Sequence, residues 1–202
     1  MEIIVGTNNQ GKLKEMQSGL KDPAIQLVSY RKYTTSQEQP AETGTTYAEN
    51  AYLKARFFQQ LIGRPVLGDD GGLTLTAFPD LLGIHTSRFF HSANPEEQNR
   101  ELLHLFEGQQ STRELTLSAT LVYVLDDDKL LQTEATLTGE LVEPRGTGGY
   151  GFDPIIYLPD RGKTLAELST SERMKISPRT VSYIHLRAHE TSLHLVCRLL
   201  LE

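Results

Sequence analysis

The order of apolar and polar positions along the chain predicts an α/β protein. Ile3-Ile4-Val5 has the continuous apolar pattern of a short buried strand, which Gly6 interrupts. A polar loop follows, and then come apolar residues at helical spacing. These residues are Leu13, Met16 and Leu20. The chain therefore begins with a strand, a loop and a helix.

Capping residues predict two further helices. Thr46 and Glu49 match a capping box at the start of the second helix. Asn94 as the N-cap and Pro95 as the first residue predict a third helix that ends at Gly108. The apolar face of the second helix is formed by Tyr47, Ala51, Ala55, Phe58 and Ile62.

The second half of the chain predicts a hairpin, a short strand and a helical end. Residues 114–125 alternate between apolar and small polar side chains, and residues 130–138 return as the partner strand. Asp126-Asp127-Asp128 predicts a solvated turn between them, with a cation site as the alternative. Ile155-Ile156-Tyr157 predicts a strand, and the remainder is predicted to be helical. Its inward residues are Val181, Ile184, Ala188, Leu195, Val196, Leu199 and Leu200.

No linker-like segment divides the 202 residues. We therefore expect a single domain over residues 1–202, with a mixed, twisted sheet flanked by helices. We expect this domain to be elongated into two lobes with a cleft between them.

Composition narrows the class of function. Twenty Lys and Arg against 26 Asp and Glu give a net charge of −6, which is too acidic for a protein that coats nucleic acid. Cys197 is the single cysteine, which excludes an intramolecular disulfide and favours a reducing compartment, the cytoplasm. No apolar run approaches the roughly 20 residues that span a bilayer, and the N-terminus lacks the basic region of a signal peptide.

The polar loop after the first strand is the first candidate site. Thr7 and Asn9 supply neutral donors, Gly11 allows close backbone approach, and Lys12 supplies a positive charge at the start of a helix. This set favours a phosphate over a carboxylate. An ordinary loop with an asparagine cap is an equal alternative, and the nucleotide-binding pattern GxxxxGK[ST] is absent.

An acidic pair forms the second candidate site. Asp69 and Asp70 follow a predicted buried strand over residues 65–68 and precede two glycines, so at least one carboxylate should project from a strand end. Such a carboxylate ligates Mg²⁺ or accepts a proton from water. An Asp-Gly turn is the structural alternative. Glu42 is a possible further acid of this cluster, with a plain surface position as its alternative.

Three other segments carry chemistry-bearing residues. Asn50 and Lys54 lie one turn apart at the border of an apolar helix face, where a lysine either reaches into a cleft or snorkels along the core edge. Residues 148–154 place aromatic rings between glycines, which suits stacking on a purine or a hairpin loop with a buried ring. Residues 172–179 bring three cations near a predicted helix start, either as a solvated surface or as contacts for phosphate or base oxygens.

Taken in order, these motifs resemble the inosine triphosphate pyrophosphatase family, whose members hydrolyse non-standard purine nucleoside triphosphates. The resemblance runs from Val5 to about Ile184. The matching segments are 7–12 against TxNxGK, 42–44 against ETG, 49–55 against ENAxxKA, 69–73 against DDSGL and 148–154 against GGFGYDP.

The resemblance implies the inosine triphosphatase-like fold with a central nucleotide cleft, and a homodimer. It implies that water attacks the α-phosphorus, that Glu42 and Asp70 hold Mg²⁺, and that Asp70 or Asp69 activates the water. The substrate-binding residues that it implies are Thr7, Asn8, Asn9, Gln10, Gly11, Lys12, Lys54, Gly71, Tyr150, Gly151, Phe152, Asp153, Arg173 and Arg179.

Three departures from the family pattern leave the preferred base open. Gly71 replaces a serine, Arg173 replaces a lysine, and Pro178 replaces a histidine that could donate a hydrogen bond. Two alternatives therefore stay open beside a purine triphosphate pyrophosphatase. One is a catalytically weakened nucleotide-binding protein, and the other is an enzyme of the same fold that acts on another modified nucleotide.

Overall fold

The structure, a computed structural model, describes residues 1–20 and 22–199, with side chains as far as Ala188. In these residues the strands are β1 (Glu2–Val5), β2 (Gln26–Ser29), β3 (Val66–Leu75), β4 (Glu114–Val124), β5 (Leu130–Leu141), β6 (Ile156–Leu158) and β7 (Lys163–Thr164). They form one sheet in the order β2-β1-β3-β4-β5-β6-β7. β1 is parallel to β2 and β3, whereas β6 is antiparallel to β5 and β7. The predicted mixed α/β sheet is confirmed.

The helices of the same residues are α1 (Gln10–Gly19), α2 (Tyr47–Ile62), α3 (Thr86–Phe89), α4 (Pro95–His104), α5 (Thr170–Ile176) and α6 (Pro178–Leu199). The predicted caps are present, because the Thr46 and Asn94 side chains accept hydrogen bonds from first-turn N–H groups of α2 and α4. α4 ends earlier than predicted, and residues 105–108 form turns instead. None of the helices described is long and apolar enough to cross a bilayer.

The chain divides into two compact units. Unit 1 comprises residues 1–70, residues 119–135 and the chain from Pro178 onward, and unit 2 comprises residues 71–118 and 136–177. In unit 1, Ile3 and Val5 of β1 pack with α1 and α6, whereas Ile4 packs with Phe58 of α2. Opposite faces of β1 therefore meet different helices, as the alternation of side chains along a strand requires. In unit 2 one apolar cluster contains Leu102 and Phe106.

β3 corrects the prediction that a strand ends at the acidic pair. It continues through Asp69, Asp70 and both glycines to Leu75, so the alternative Asp-Gly turn is also wrong. Two consecutive glycines look like a break in a strand, but the alternating pattern resumes after them, with Leu73 and Leu75 fully buried. Asp69 and Asp70 are consecutive strand residues, so their side chains lie on opposite faces of the sheet.

The last third of the chain differs from its prediction in two respects. β7 lies in a stretch that was predicted to be helical, because a strand of two residues is too short to show a pattern. In α6 the buried side chains include Tyr183 and Leu186, whereas Ile184 and Ala188 are exposed. The buried face of α6 differs from the predicted one because it includes polar residues. Buried Ser182, for example, donates a hydrogen bond to the Ala119 carbonyl of β4. The predictions for Leu195, Val196, Leu199 and Leu200, and the side chain of Cys197, lie outside the described residues.

A glycine of β3 lets α2 approach the sheet closely. A Cβ atom built at Gly68 would lie 2.0 Å from the carbonyl oxygen of Ala51 and 3.0 Å from the Cβ atom of Ala55. Any side chain at position 68 would therefore push α2 away from β3. This close approach places Lys54 of α2 beside Asp70 of β3.

Gly68→Ala tests this packing. We expect the substitution to lower the free energy of unfolding by about 3 kcal/mol, because the helix must move to relieve the overlap. Gly63→Asn is the control: Gly63 has a φ of +70° with no atom within 4 Å of its built Cβ, and asparagine tolerates this conformation. Urea unfolding measures both. A Gly68→Ala protein as stable as the parent would contradict the packing argument.

Candidate active site

Two polar side chains fix the loop between β1 and α1. The Thr7 hydroxyl accepts a hydrogen bond from the N–H of Asn9 at 3.2 Å, and the Asn9 carboxamide accepts one from the N–H of Lys12 at 3.2 Å. Asn9 is therefore the N-cap of α1, and Gln10, Gly11 and Lys12 form its first turn. The asparagine cap and the predicted anion site are compatible, because capping fixes the positive end of the helix dipole beside Lys12.

Asn8 makes structural contacts within the same loop. Its carboxamide oxygen accepts hydrogen bonds from the Tyr30 hydroxyl and, at 2.9 Å, from the Arg31 guanidinium. Its amide nitrogen donates to Gln39. Both ends of the side chain are therefore engaged with the chain that follows β2, and these contacts assign Asn8 to holding the loop.

The loop meets the acidic pair at Asp69. Lys12 Nζ lies 2.8 Å from Asp69 Oδ2, and Arg179 Nε donates to Asp69 Oδ1 at 2.7 Å. A second Arg179 nitrogen lies 2.6 Å from the Glu15 carboxylate of α1. The first candidate site and the acidic pair are therefore in direct contact through Asp69.

Asp69 stays ionised although it is fully buried. Burial favours the neutral carboxyl and would raise its pKa, but the adjacent charges of Arg179 and Lys12 outweigh burial and hold the pKa of Asp69 well below its usual range. A carboxylate with such a low pKa is a weak proton acceptor. Its position instead suits it to hold two cations in place.

Asp70 belongs to a second charge cluster, formed with α2. Lys54 Nζ lies 2.7 Å from Asp70 Oδ1, 2.9 Å from Glu42 Oε1 and 3.4 Å from the Asp69 carbonyl oxygen. Burial would lower the pKa of Lys54, but Asp70 and Glu42 outweigh it and raise the pKa above its ordinary value. Lys54 is therefore a cation at neutral pH, and it bridges two carboxylates instead of snorkelling along the core.

A buried asparagine positions the segment that carries Glu42. The Asn50 carboxamide, on α2 one turn before Lys54, accepts a hydrogen bond from the N–H of Gly44 at 2.9 Å. A Cβ atom at Gly44 would lie 2.8 Å from that carboxamide oxygen. Glycine at position 44 therefore lets the segment lie against α2, where Glu42 reaches Lys54.

Glu42 and Asp70 fit the chemistry of a magnesium site. Both place hard carboxylate oxygens around one positive centre, the Lys54 ammonium. No group of three or more candidate metal ligands occurs among the residues that the structure describes. Two carboxylates suffice for Mg²⁺, which usually takes its remaining ligands from water and substrate phosphates.

In unit 2 the glycine-rich loop presents one aromatic ring outward. The Asp153 carboxylate accepts a hydrogen bond from the N–H of Tyr150 at 3.1 Å, and Tyr150 is 41% exposed. Gly149 has a φ of +75°, and a Cβ atom there would lie 1.8 Å from the Asp153 carboxylate. Phe152 instead packs inward, with its ring centroid 5.4 Å from that of Phe90. Of the two predicted base-stacking rings, Tyr150 alone is the exposed one.

The basic segment of residues 172–179 supplies cations to two different clusters. Arg173 Nε lies 3.6 Å from the Asp153 carboxylate in unit 2, whereas Arg179 binds Asp69 in unit 1. Pro178 is the first residue of α6, a position that suits proline and places Arg179 in the first turn. Gly71 follows Asp70 within β3 and is half-buried.

Two residues that make contacts in these clusters are not among those predicted from the sequence. Glu15 lies three residues after Lys12, so the helical period already placed both on one face of α1. Asn99 of α4 donates to the carbonyl of Gly151 in the glycine-rich loop at 3.2 Å. That contact joins residues 52 positions apart, and no pattern in one sequence indicates it.

The sequence model of the Ham1 family matches residues 3–189. This chain belongs to the Ham1 family. A relative from Geobacillus kaustophilus, named dITP/XTP pyrophosphatase, is 35% identical over 181 residues, which are 88% of each chain. The family resemblance predicted from the sequence is thereby confirmed.

Solved Ham1 structures share the fold. The Ham1 protein of Coxiella burnetii is 32% identical with a TM-score of 0.80, and the match covers 96% of this chain and 98% of that one. The Ham1 protein of Staphylococcus aureus is 27% identical with a TM-score of 0.81, over 95% and 99% of the two chains. The described sheet and helices therefore form a Ham1 fold.

Asp69→Asn tests the anchoring role of Asp69 in this Ham1 chain. A neutral side chain leaves Lys12 and Arg179 without their shared anion, so we expect a loss of about 3 kcal/mol of unfolding free energy at pH 7. Because the folded-state pKa of Asp69 is depressed, its contribution is complete above its unfolded pKa of about 4 and declines as the pH falls below that value. The difference in stability between the two proteins should therefore be constant from pH 7 to pH 5, begin to narrow near pH 4 and keep narrowing at still lower pH.

Asp127→Asn is the matched control for this measurement. Asp127 pairs with Arg56 at 2.5 Å but is exposed, so its substitution should cost less than about 1 kcal/mol at any pH. Urea unfolding at several pH values reads out both variants. A stability difference for Asp69→Asn that stays constant from pH 7 to pH 3 would contradict an ionised, anchoring Asp69.

Proposed function

We propose that this protein hydrolyses non-standard purine nucleoside triphosphates, among them inosine, deoxyinosine and xanthosine triphosphate, to the nucleoside monophosphate and pyrophosphate. Similarity to a relative named dITP/XTP pyrophosphatase over 88% of both chains supports this assignment. The observation that carries it is the pair of buried carboxylates Asp69 and Asp70, each in contact with a lysine from a different helix.

The reaction requires alignment and charge neutralisation more than covalent chemistry. The oxygen of water forms a bond to the α-phosphorus while the bond from that phosphorus to the bridging oxygen breaks. Pyrophosphate leaves with the electron pair, and the attacking water gives its proton to a base. Fixed cations that neutralise the developing charge supply most of the acceleration.

Asp70 is the base in this proposal, and Asp69 is a positioning residue. The low pKa of Asp69 makes it a weak proton acceptor, and both of its oxygens contact cations. Asp70 lies on the other face of β3, with Lys54 at one oxygen. The proposal thereby gives the two aspartates different roles.

We assign binding of the triphosphate to the loop of residues 7–12 and Lys54, and contact with the base to the glycine-rich loop. Lys12 and Lys54 neutralise the phosphates, with the loop residues Thr7, Asn9, Gln10 and Gly11 donating hydrogen bonds. Arg179 holds Asp69 and adds positive charge to the same cluster. The exposed Tyr150 ring stacks on the base, and Gly151, Phe152, Asp153 and Arg173 shape the loop that carries it.

Magnesium is the cofactor of this proposal. Glu42 and Asp70 would hold it, beside Lys54, which neutralises them in the structure. When bound, Mg²⁺ neutralises phosphate oxygens and polarises the phosphoryl group. Homodimer formation, which the family resemblance implies, and a cytoplasmic location, which the single cysteine favours, stay predictions.

Product analysis tests the bond that breaks. Incubation with inosine triphosphate and Mg²⁺ should release inosine monophosphate and pyrophosphate in equal amounts, measured by anion-exchange chromatography. Inosine diphosphate with orthophosphate would contradict the proposal. Binding of the triphosphate without turnover would identify the weakened nucleotide-binding protein, and preferred turnover of a modified pyrimidine triphosphate would identify the third alternative.

Asp70→Asn tests the base. We expect kcat to fall about 10³-fold, because the amide cannot accept the proton of the attacking water. Circular dichroism checks the fold, and Asp127→Asn, at an exposed ion pair in the same unit, should keep full activity. Retention of more than a tenth of the parent kcat by Asp70→Asn would remove Asp70 from this role.

A further inference from the structure

A buried asparagine contacts the glycine-rich loop from α4. Asn99 is only 4% exposed, and its amide N–H donates to the Gly151 carbonyl at 3.2 Å. Its own carbonyl oxygen is buried and accepts no hydrogen bond within the part of the chain that the structure describes. An unsatisfied buried oxygen destabilises a protein, so an apolar residue would be the more stable choice at this position. The contact with Gly151 is what the polar side chain provides.

This contact falls where the loop backbone is least restricted. Gly149 and Gly151 flank Tyr150 and have φ values of +75° and +61°. Glycine adopts positive and negative φ values about equally well, so other contacts must hold these two residues in one conformation. The Asp153 carboxylate holds the N–H of Tyr150 on one side. Asn99 holds the carbonyl of the next residue on the other. The two hydrogen bonds together hold the peptide unit that precedes Tyr150 and the one that follows Gly151, so the Tyr150-Gly151 segment is held at both ends.

We infer that Asn99 is a positioning residue for base recognition: by fixing the Gly151 carbonyl it sets the orientation of the exposed Tyr150 ring. Asn99 itself does not need to touch the nucleotide. This inference rests on the proposed contact between Tyr150 and the base.

Asn99→Leu separates a positioning role from a structural one. Leucine has the branched shape of asparagine with a larger volume, and it removes both the N–H donor and the unsatisfied oxygen. Removal of that oxygen offsets the tighter packing, so we expect a nearly unchanged melting temperature. The KM for inosine triphosphate should rise about five- to tenfold, with kcat changed less than twofold. A lower melting temperature with an unchanged KM would show a structural role and overturn the inference. If Asn99→Leu does not fold, Asn99→Ala, which introduces no larger side chain, is judged by the same change in KM.

Gln98→Leu is the matched control. Gln98 precedes Asn99 on α4, and its amide also donates to a backbone carbonyl, that of Ser92 at 2.8 Å, outside the glycine-rich loop. Its substitution should leave KM unchanged. An equal rise in KM for Gln98→Leu would show a general effect of perturbing α4 and would overturn the specific role of Asn99.

A second substitution distinguishes failure of this inference from failure of the proposed function. Tyr150→Ala should raise KM, and in that background Asn99→Leu should add no further rise, because both act through one ring. If Tyr150→Ala leaves KM unchanged, the proposed contact with the base is wrong and the inference falls with it. If Tyr150→Ala raises KM and the two effects multiply, the contact stands but Asn99 does not act through Tyr150.

Discussion

The buried carboxylate of Asp69 is the constraint on which the arrangement of unit 1 depends. An ionised group in a fully buried position is tolerated only with charged partners, and here Lys12 of α1 and Arg179 of α6 supply them. Arg179 also contacts Glu15 of α1, so ion pairs connect α1 and α6 to β3 and to each other. This explains why α1 presents Lys12 in its first turn and why α6 begins immediately before Arg179.

Strand geometry then gives two adjacent acids different surroundings. Because successive side chains of β3 lie on opposite faces, Asp69 faces α1 and α6 whereas Asp70 faces α2. One carboxylate contacts cations through both oxygens, and the other shares a single lysine with Glu42. Neighbouring acids whose environments differ in this way commonly divide into an electrostatic anchor and a proton acceptor. The close approach at Gly68 is the packing feature that makes the second environment possible.

The sequence predicts the parts of this molecule that local pattern determines. The first strand, the caps at Thr46 and Asn94, and the loop motif of residues 7–12 follow from periodicity and capping chemistry, and the structure has them. The sequence predicts less well the features that contacts between distant segments determine. The glycines after Asp70 look like a break, but sheet pairing keeps them extended. The exposure of Ile184 depends on which face of α6 meets β4. The contact between Asn99 and Gly151 joins distant segments without any local signal.

The proposal that water attacks the α-phosphorus is tested most directly by running the reaction with inosine triphosphate in water enriched in ¹⁸O and locating the label by mass spectrometry. Attack on the α-phosphorus predicts one ¹⁸O atom in inosine monophosphate and none in pyrophosphate. Label in pyrophosphate would show attack at a different phosphorus and would contradict the account.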